Sequence, residues 1–118
     1  MTDVNVTIGE PIEALLARAA AADRLAASGA ALQDAPTYVD FADWEQFARV
    51  MTGQRVALLR RVHRRPGDSV PQLAAALRRD PADVQADIAA LLECGLIERD
   101  EAGDLRADYD GLQTRIAL

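Results

Sequence analysis

The chain has 118 residues, half of them hydrophobic, with 13 basic against 19 acidic side chains and a formal net charge of −6. That length suits one domain with a short appended arm, and the apolar share is enough for one compact core. The single cysteine, Cys94, excludes a disulfide framework and a cysteine-based metal site, and fits a reducing, cytoplasmic compartment.

The opening residues, MTDVNVTIGEPIEALL, carry neither a basic leader nor a long apolar run, so neither a signal peptide nor a membrane helix is expected. The first predicted element is a helix over residues 11–28. Pro11 suits the first helical position, Ile12, Leu15, Leu16 and Ala19 recur at helical spacing, and Ser28-Gly29 is a stop. Gln33 to Asp40 reads as a linker with an edge strand. Pro36 forces Ala35 into an extended conformation, and Thr37-Tyr38-Val39 is β-prone.

Four more helical segments follow. Trp44, Phe47, Ala48 and Met51 share one helical face, fit core packing, and are closed off by Thr52-Gly53. Gln54 to Arg65 has Val56, Leu59 and Val62 on its apolar side and ends at Pro66-Gly67. Ser69 is placed to cap a short helix carrying Val70, Leu73, Ala74 and Leu77. Asp80-Pro81 opens a last helix with Val84, Ile88, Leu91 and Leu92 as its buried stripe, and Gly95 is placed to close it. Leu96 to Arg99 and Leu105 to Asp108 flank a polar turn, Asp100 to Asp104, which predicts a hairpin packed on that helix. Leu112, Thr114, Ile116 and Leu118 alternate with other residues and suggest another edge strand. The expected fold class is mainly α with a small β wing, divided into an N-terminal helix and linker (1–40) and a helix-plus-hairpin domain (41–118).

The run from Gln72 to Arg99 resembles the winged helix-turn-helix signature. Ala74 is small where two helices cross, Leu73 and Leu77 close one side of that contact, Val84 and Ile88 pack the second helix on the first, and Gly95-Leu96-Ile97 leads into the wing. Within that superfamily, residues 38–110 look like a family of predicted bacterial and archaeal transcriptional regulators often encoded beside toxin genes. Tyr38-Val39-Asp40-Phe41, Thr52 to Leu59, Leu73-Ala74, Arg79-Asp80, Val84, Asp87 and Gly95-Leu96-Ile97 carry the likeness. The resemblance implies an autoregulating repressor, with an antitoxin as the alternative. It departs from the family on the exposed face of the last helix, where Asp83, Asp87 and Glu93 stand in place of basic or amide residues and only Gln85 is a good base-edge reader.

Charge is unevenly spread. Residues 1–46 hold two arginines against eight acids, 47–79 hold eight arginines against Asp68 alone, and 80–118 hold three against ten. A basic middle between acidic flanks can present one positive face on an acidic molecule. The arginines of that middle, Arg55, Arg60, Arg61, Arg64, Arg65, Arg78 and Arg79, are the best candidates for phosphate contact, against the plainer reading of a solvated face paired with the flanks. Ser69, Gln72, Gln85, Arg99 and Arg106 complete the candidate DNA-contacting set. Ser69 has capping as its simpler duty, and Arg99 and Arg106 a structural role at the wing turn. His63 reads as a surface residue and Cys94 as a small buried hydrophobe. No Gly-rich phosphate loop, nucleophile elbow or zinc-ligand spacing occurs, so neither catalysis, a metal nor a cofactor is expected. The expected partners are double-stranded DNA and a second copy of the chain, with Ile12, Leu15, Leu16 and Ala19 as the dimer or partner contact. A basic toxin is the alternative partner, as is a protein met by the acidic last helix.

Overall fold

The computed structural model describes residues 2–29 and 37–118. In chain order these form β1 (Asp3–Ile8), α1 (Ile12–Ala27), β2 (Thr37–Phe41), α2 (Trp44–Val50), α3 (Gly53–Arg64), α4 (Val70–Leu77), α5 (Pro81–Cys94), β3 (Glu98–Arg99), β4 (Leu105–Arg106) and β5 (Gly111–Ile116). The architecture is mixed α/β. β2, β1 and β5 make an all-parallel sheet in that order, and β3 and β4 make a separate antiparallel hairpin.

Local chemistry sets the helix ends. Asp43, Thr52 and Asp80 accept the orphan first-turn amides of α2, α3 and α5 from Gln46, Arg55 and Ala82. Ser69 and Gln72 close a reciprocal capping box at α4, each side chain bonding the other's backbone N–H. Gly95 ends α5 in the left-handed region at φ 89°, where a side chain would be strained.

The sheet has two unlike faces. In β1, Val4, Val6 and Ile8 point inward with Val39 and Phe41 of β2, and share one core with Leu58, Leu59 and Val62 of α3, Leu73 and Ala74 of α4, and Val84, Ile88 and Leu91 of α5. Leu96, Ile97, Leu105 and Ala107 close that core from the hairpin side. Parallel strands need long crossovers. Here α1 joins β1 to β2 over the outer face, while the α2–α5 segment joins β2 to β5 across the inner one.

Two expectations need correction. The boundary at residue 40 is not a boundary of the fold, because β1 is the central strand between β2 and β5 and its valines belong to the common core. A three-stranded parallel sheet therefore accompanies the expected hairpin, and α1, with no buried residue of its own, lies on its outer face. Thr37 to Asp40 is the anticipated edge strand, whereas Gln33 to Pro36 lie outside the described residues. Trp44, expected in the core, is 52% exposed and rests against Phe47 at 5.3 Å between ring centroids.

Candidate nucleic-acid interface

The basic middle of the chain divides into two groups. Arg55 and Arg79 converge on Asp87 of α5, which is a buried carboxylate. Arg55 Nε donates to Asp87 Oδ1 at 3.0 Å, and Arg79 Nη1 donates to Oδ2 at 2.6 Å. Arg55 also donates through Nη1 to the carbonyls of Arg49 and Val50, which ties the end of α2 to α3 and α5. Burial alone would raise the Asp87 carboxyl, but the two guanidinium hydrogen bonds outweigh it and hold its pKa below the ordinary carboxylate value. This corrects two expectations together. Asp87 is not on the exposed face of α5, and Arg55 and Arg79 are committed to it.

Arg61 is likewise engaged, with Nε 3.1 Å from Asp68 Oδ2. The remaining arginines of the set, Arg60, Arg64, Arg65 and Arg78, are exposed and have no ion-pair partner among the described residues. Arg60, Arg61, Arg64 and Arg65 line a single groove with Ala57 and Leu77, because positions i, i+3 or i+4, and i+7 of α3 share a face. Arg78 caps α4 at the turn into α5 with φ 54°, the sole non-glycine residue at positive φ among those described.

On α5 the exposed side chains are Pro81, Ala82, Asp83, Gln85, Ala86, Ala89 and Glu93. Removing Asp87 from that face halves the aspartates expected on it and leaves Gln85 open to solvent. Ser69 and Gln72 are occupied by their capping box, so their side chains reach another partner only by breaking it.

The hairpin tip is organised from within. Asp100 Oδ1 accepts the amides of Ala102 and Asp104, and its Oδ2 accepts Arg106 Nε at 2.8 Å. Hydrogen bonding from Arg106 lowers the Asp100 pKa and correspondingly raises that of Arg106, which Asp108 also faces at 3.5 Å. Arg99 Nη1 folds back onto the Gly103 carbonyl at 3.0 Å. Both wing arginines therefore hold the turn that carries them.

Elsewhere, His63 is exposed yet places Nδ1 2.7 Å from the Ala107 carbonyl, joining α3 to the residue after β4. Cys94 is half-buried, and burial pushes its thiol pKa up, away from a reactive thiolate. Of the predicted α1 contacts, Leu15 turns toward Tyr38 and Asp40 of β2, while Ile12 and Leu16 are 60% and 61% exposed. Arg18 lies over the Tyr38 ring and pairs with Asp40, so polar contacts help seat the helix on the sheet. Among the described residues no helix is long and apolar enough to cross a membrane.

No curated protein and no solved structure matches the chain. Residues 50–114 match the family HVO_A0114, and that stretch is more than half of the chain. It runs from the end of α2 through α3, α4, α5 and the hairpin into β5, and so contains every free arginine described above. The chain belongs to the HVO_A0114 family.

Proposed function

We propose that the chain is a winged helix-turn-helix regulator that binds double-stranded DNA, as a homodimeric and autoregulating repressor. α3, α4 and α5 play the tri-helical unit and β3–β4 the wing, an element order in keeping with that reading. The observation that carries it is the grouping of Arg60, Arg61, Arg64 and Arg65 along one groove, with no carboxylate but that of Asp68 paired to it among the described residues. In a chain of net charge −6, such a local excess of guanidinium groups suits a polyanion, since arginine forks phosphate oxygens and releases condensed counterions. Arg78 adds a further free charge at the α4–α5 turn, and Gln85 is the base-edge reader on α5.

Fluorescence anisotropy of the full chain with a labelled duplex, titrated with salt, tests this. Affinity is expected to fall steeply with salt, each neutralised phosphate adding about 0.9 to the log–log slope. Absence of duplex binding at about 50 mM salt, where phosphate contacts are strongest, rejects the reading.

A second reading has its own support. Ile12 and Leu16 leave an apolar strip of α1 open to solvent above an otherwise polar outer face, as an antitoxin's partner-binding arm would. Deleting α1 alone, and not residues 1–40, is the appropriate probe, because β1 belongs to the core.

A further inference from the structure

We infer that β5 is the homodimer contact: two copies pair antiparallel through their free β5 edges into a continuous six-stranded sheet. This rests on the homodimer of the proposed function and not on its duplex. A dimer that binds no DNA keeps the inference, and a DNA-binding monomer sinks it.

The ladder leaves one side of β5 open. β5 pairs only with β1 among the described residues, in parallel. Ala117 N–H bonds the Ile8 carbonyl at 2.9 Å. Backbone groups alternate sides along a strand, so the N–H and C=O of Leu112, Thr114 and Ile116 face outward. Such a row is a template for another strand unless proline, a bulge or charge blunts it. β5 contains neither proline nor a bulge, and its one charged side chain, Arg115, is already 2.7 Å from Glu10.

The sequence of β5 fits its own antiparallel copy in one register. Centring a two-fold axis on Thr114 sets Thr114 against the partner's Thr114, Leu112 against the partner's Ile116, and Gln113 against the partner's Arg115. Every outward backbone group of Leu112, Thr114 and Ile116 then meets a partner in a hydrogen-bonded pair. Opposed pairs are hydroxyl with hydroxyl, apolar with apolar, and amide with cation. Shifting the axis to Arg115 would oppose two guanidinium groups, and shifting it to Gln113 would set apolar Leu112 against the partner's Thr114.

Inner-face packing points to the same register. Ile116 lies on the sheet's inner face beside buried Ile8, yet is 51% exposed. Beside Leu112, on that same face, a largely apolar cavity of about 290 Å³ opens between Val56, Leu59, Tyr109 and Leu112, with Arg60, His63 and Asp110 also on its lining. The pairing places the partner's Ile116 directly against Leu112, at the mouth of this cavity. The axis stands perpendicular to the sheet, so both helical layers fall on one side of it and both α1 helices on the other.

Sedimentation of the DNA-free full chain tests the assignment. The native chain is expected at twice the chain mass. Thr114→Pro removes an outward N–H without touching the β1 ladder, and is expected to sediment as a monomer with an unchanged far-ultraviolet spectrum. Ile116→Asp is expected to do the same and decides the matter should the proline variant lose its spectrum. Leu16→Asp, on α1, is expected to stay dimeric. A monomeric native chain, an Ile116→Asp variant that remains dimeric, or loss of the dimer in Leu16→Asp overturns the inference.

Discussion

Arg55 and Arg79 belong to the same basic run as Arg60, Arg64 and Arg65, but they have different employment. The first pair is turned inward onto one carboxylate, with side chains 21% and 15% exposed, and together they fasten α2, α3 and the α4–α5 turn to the flank of α5. The second group faces solvent with its charge unspent. A count of arginines along the sequence treats the two alike. What separates them is the position of Asp87, which removes two positive charges from the surface by the same contacts that hold the helices together.

That contrast can be broken from either side. The largest effect is expected for Asp87→Ala, which strands two inward-facing guanidinium groups. A loss of about 3 kcal/mol follows from breaking a buried ion pair by one partner, or on the order of 10 °C in the thermal midpoint of a domain this size. Differential scanning calorimetry measures it directly. Next comes the combined variant Arg60→Ala, Arg64→Ala, Arg65→Ala. Its stability should stay within about 0.5 kcal/mol of the native chain, as for surface substitutions. Its affinity for duplexes of any sequence should fall, with a shallower salt slope by up to about 2.7 if all three meet phosphates. Loss of stability in that variant would show the two groups to be one.

Acid sharpens the distinction further. The Asp87 pKa is lowered on folding, so its contribution is complete above the ordinary carboxylate range and is lost as pH falls through its depressed value. The stability gap between the native chain and Asp87→Asn should therefore narrow below about pH 4, a trend that chemical denaturation at a series of pH values would trace. The smallest effect is expected at the wing. Arg106 is exposed and Asp100 half-buried at the surface, so Arg106→Ala should change the thermal midpoint little while loosening the turn, visible as faster amide exchange at Ala102 and Asp104.

Helices α2 to α5 were readable from the sequence because their determinants are local. Asp43, Thr52, Ser69 and Asp80 stand at the caps, Gly95 at the stop, and the apolar spacing of Val84, Ile88 and Leu91 marks the buried side of α5. The strand β1 is hard to read from the sequence although Val4, Val6 and Ile8 alternate with Asn5 and Thr7 in the required way. Its partners are 33 and 108 positions away in register, and nothing nearby announces them. The inward position of Asp87 is obscured for a similar reason. It lies three residues after Val84 and four before Leu91, hence on the buried stripe, and that spacing was the available signal. Its charge argues for solvent, and one of the two residues that offset its burial, Arg55, is distant in sequence. The arginines are legible as a run, but which of them are free depends on how the fold turns Asp68 and Asp87 toward Arg61, Arg55 and Arg79.

The central place of β1 has a consequence for how the molecule comes into being. β1 leaves the ribosome well before β5, yet it must be flanked by it, and Asp3 finds Gly111 only after the whole helical layer has been made. Contacts of such high sequence separation slow folding. Until β5 arrives, a nascent chain carries Val4, Val6 and Ile8 on a strand with one neighbour missing, so assembly of this sheet waits on the synthesis of β5, whereas α3 to β4 can gather as they emerge.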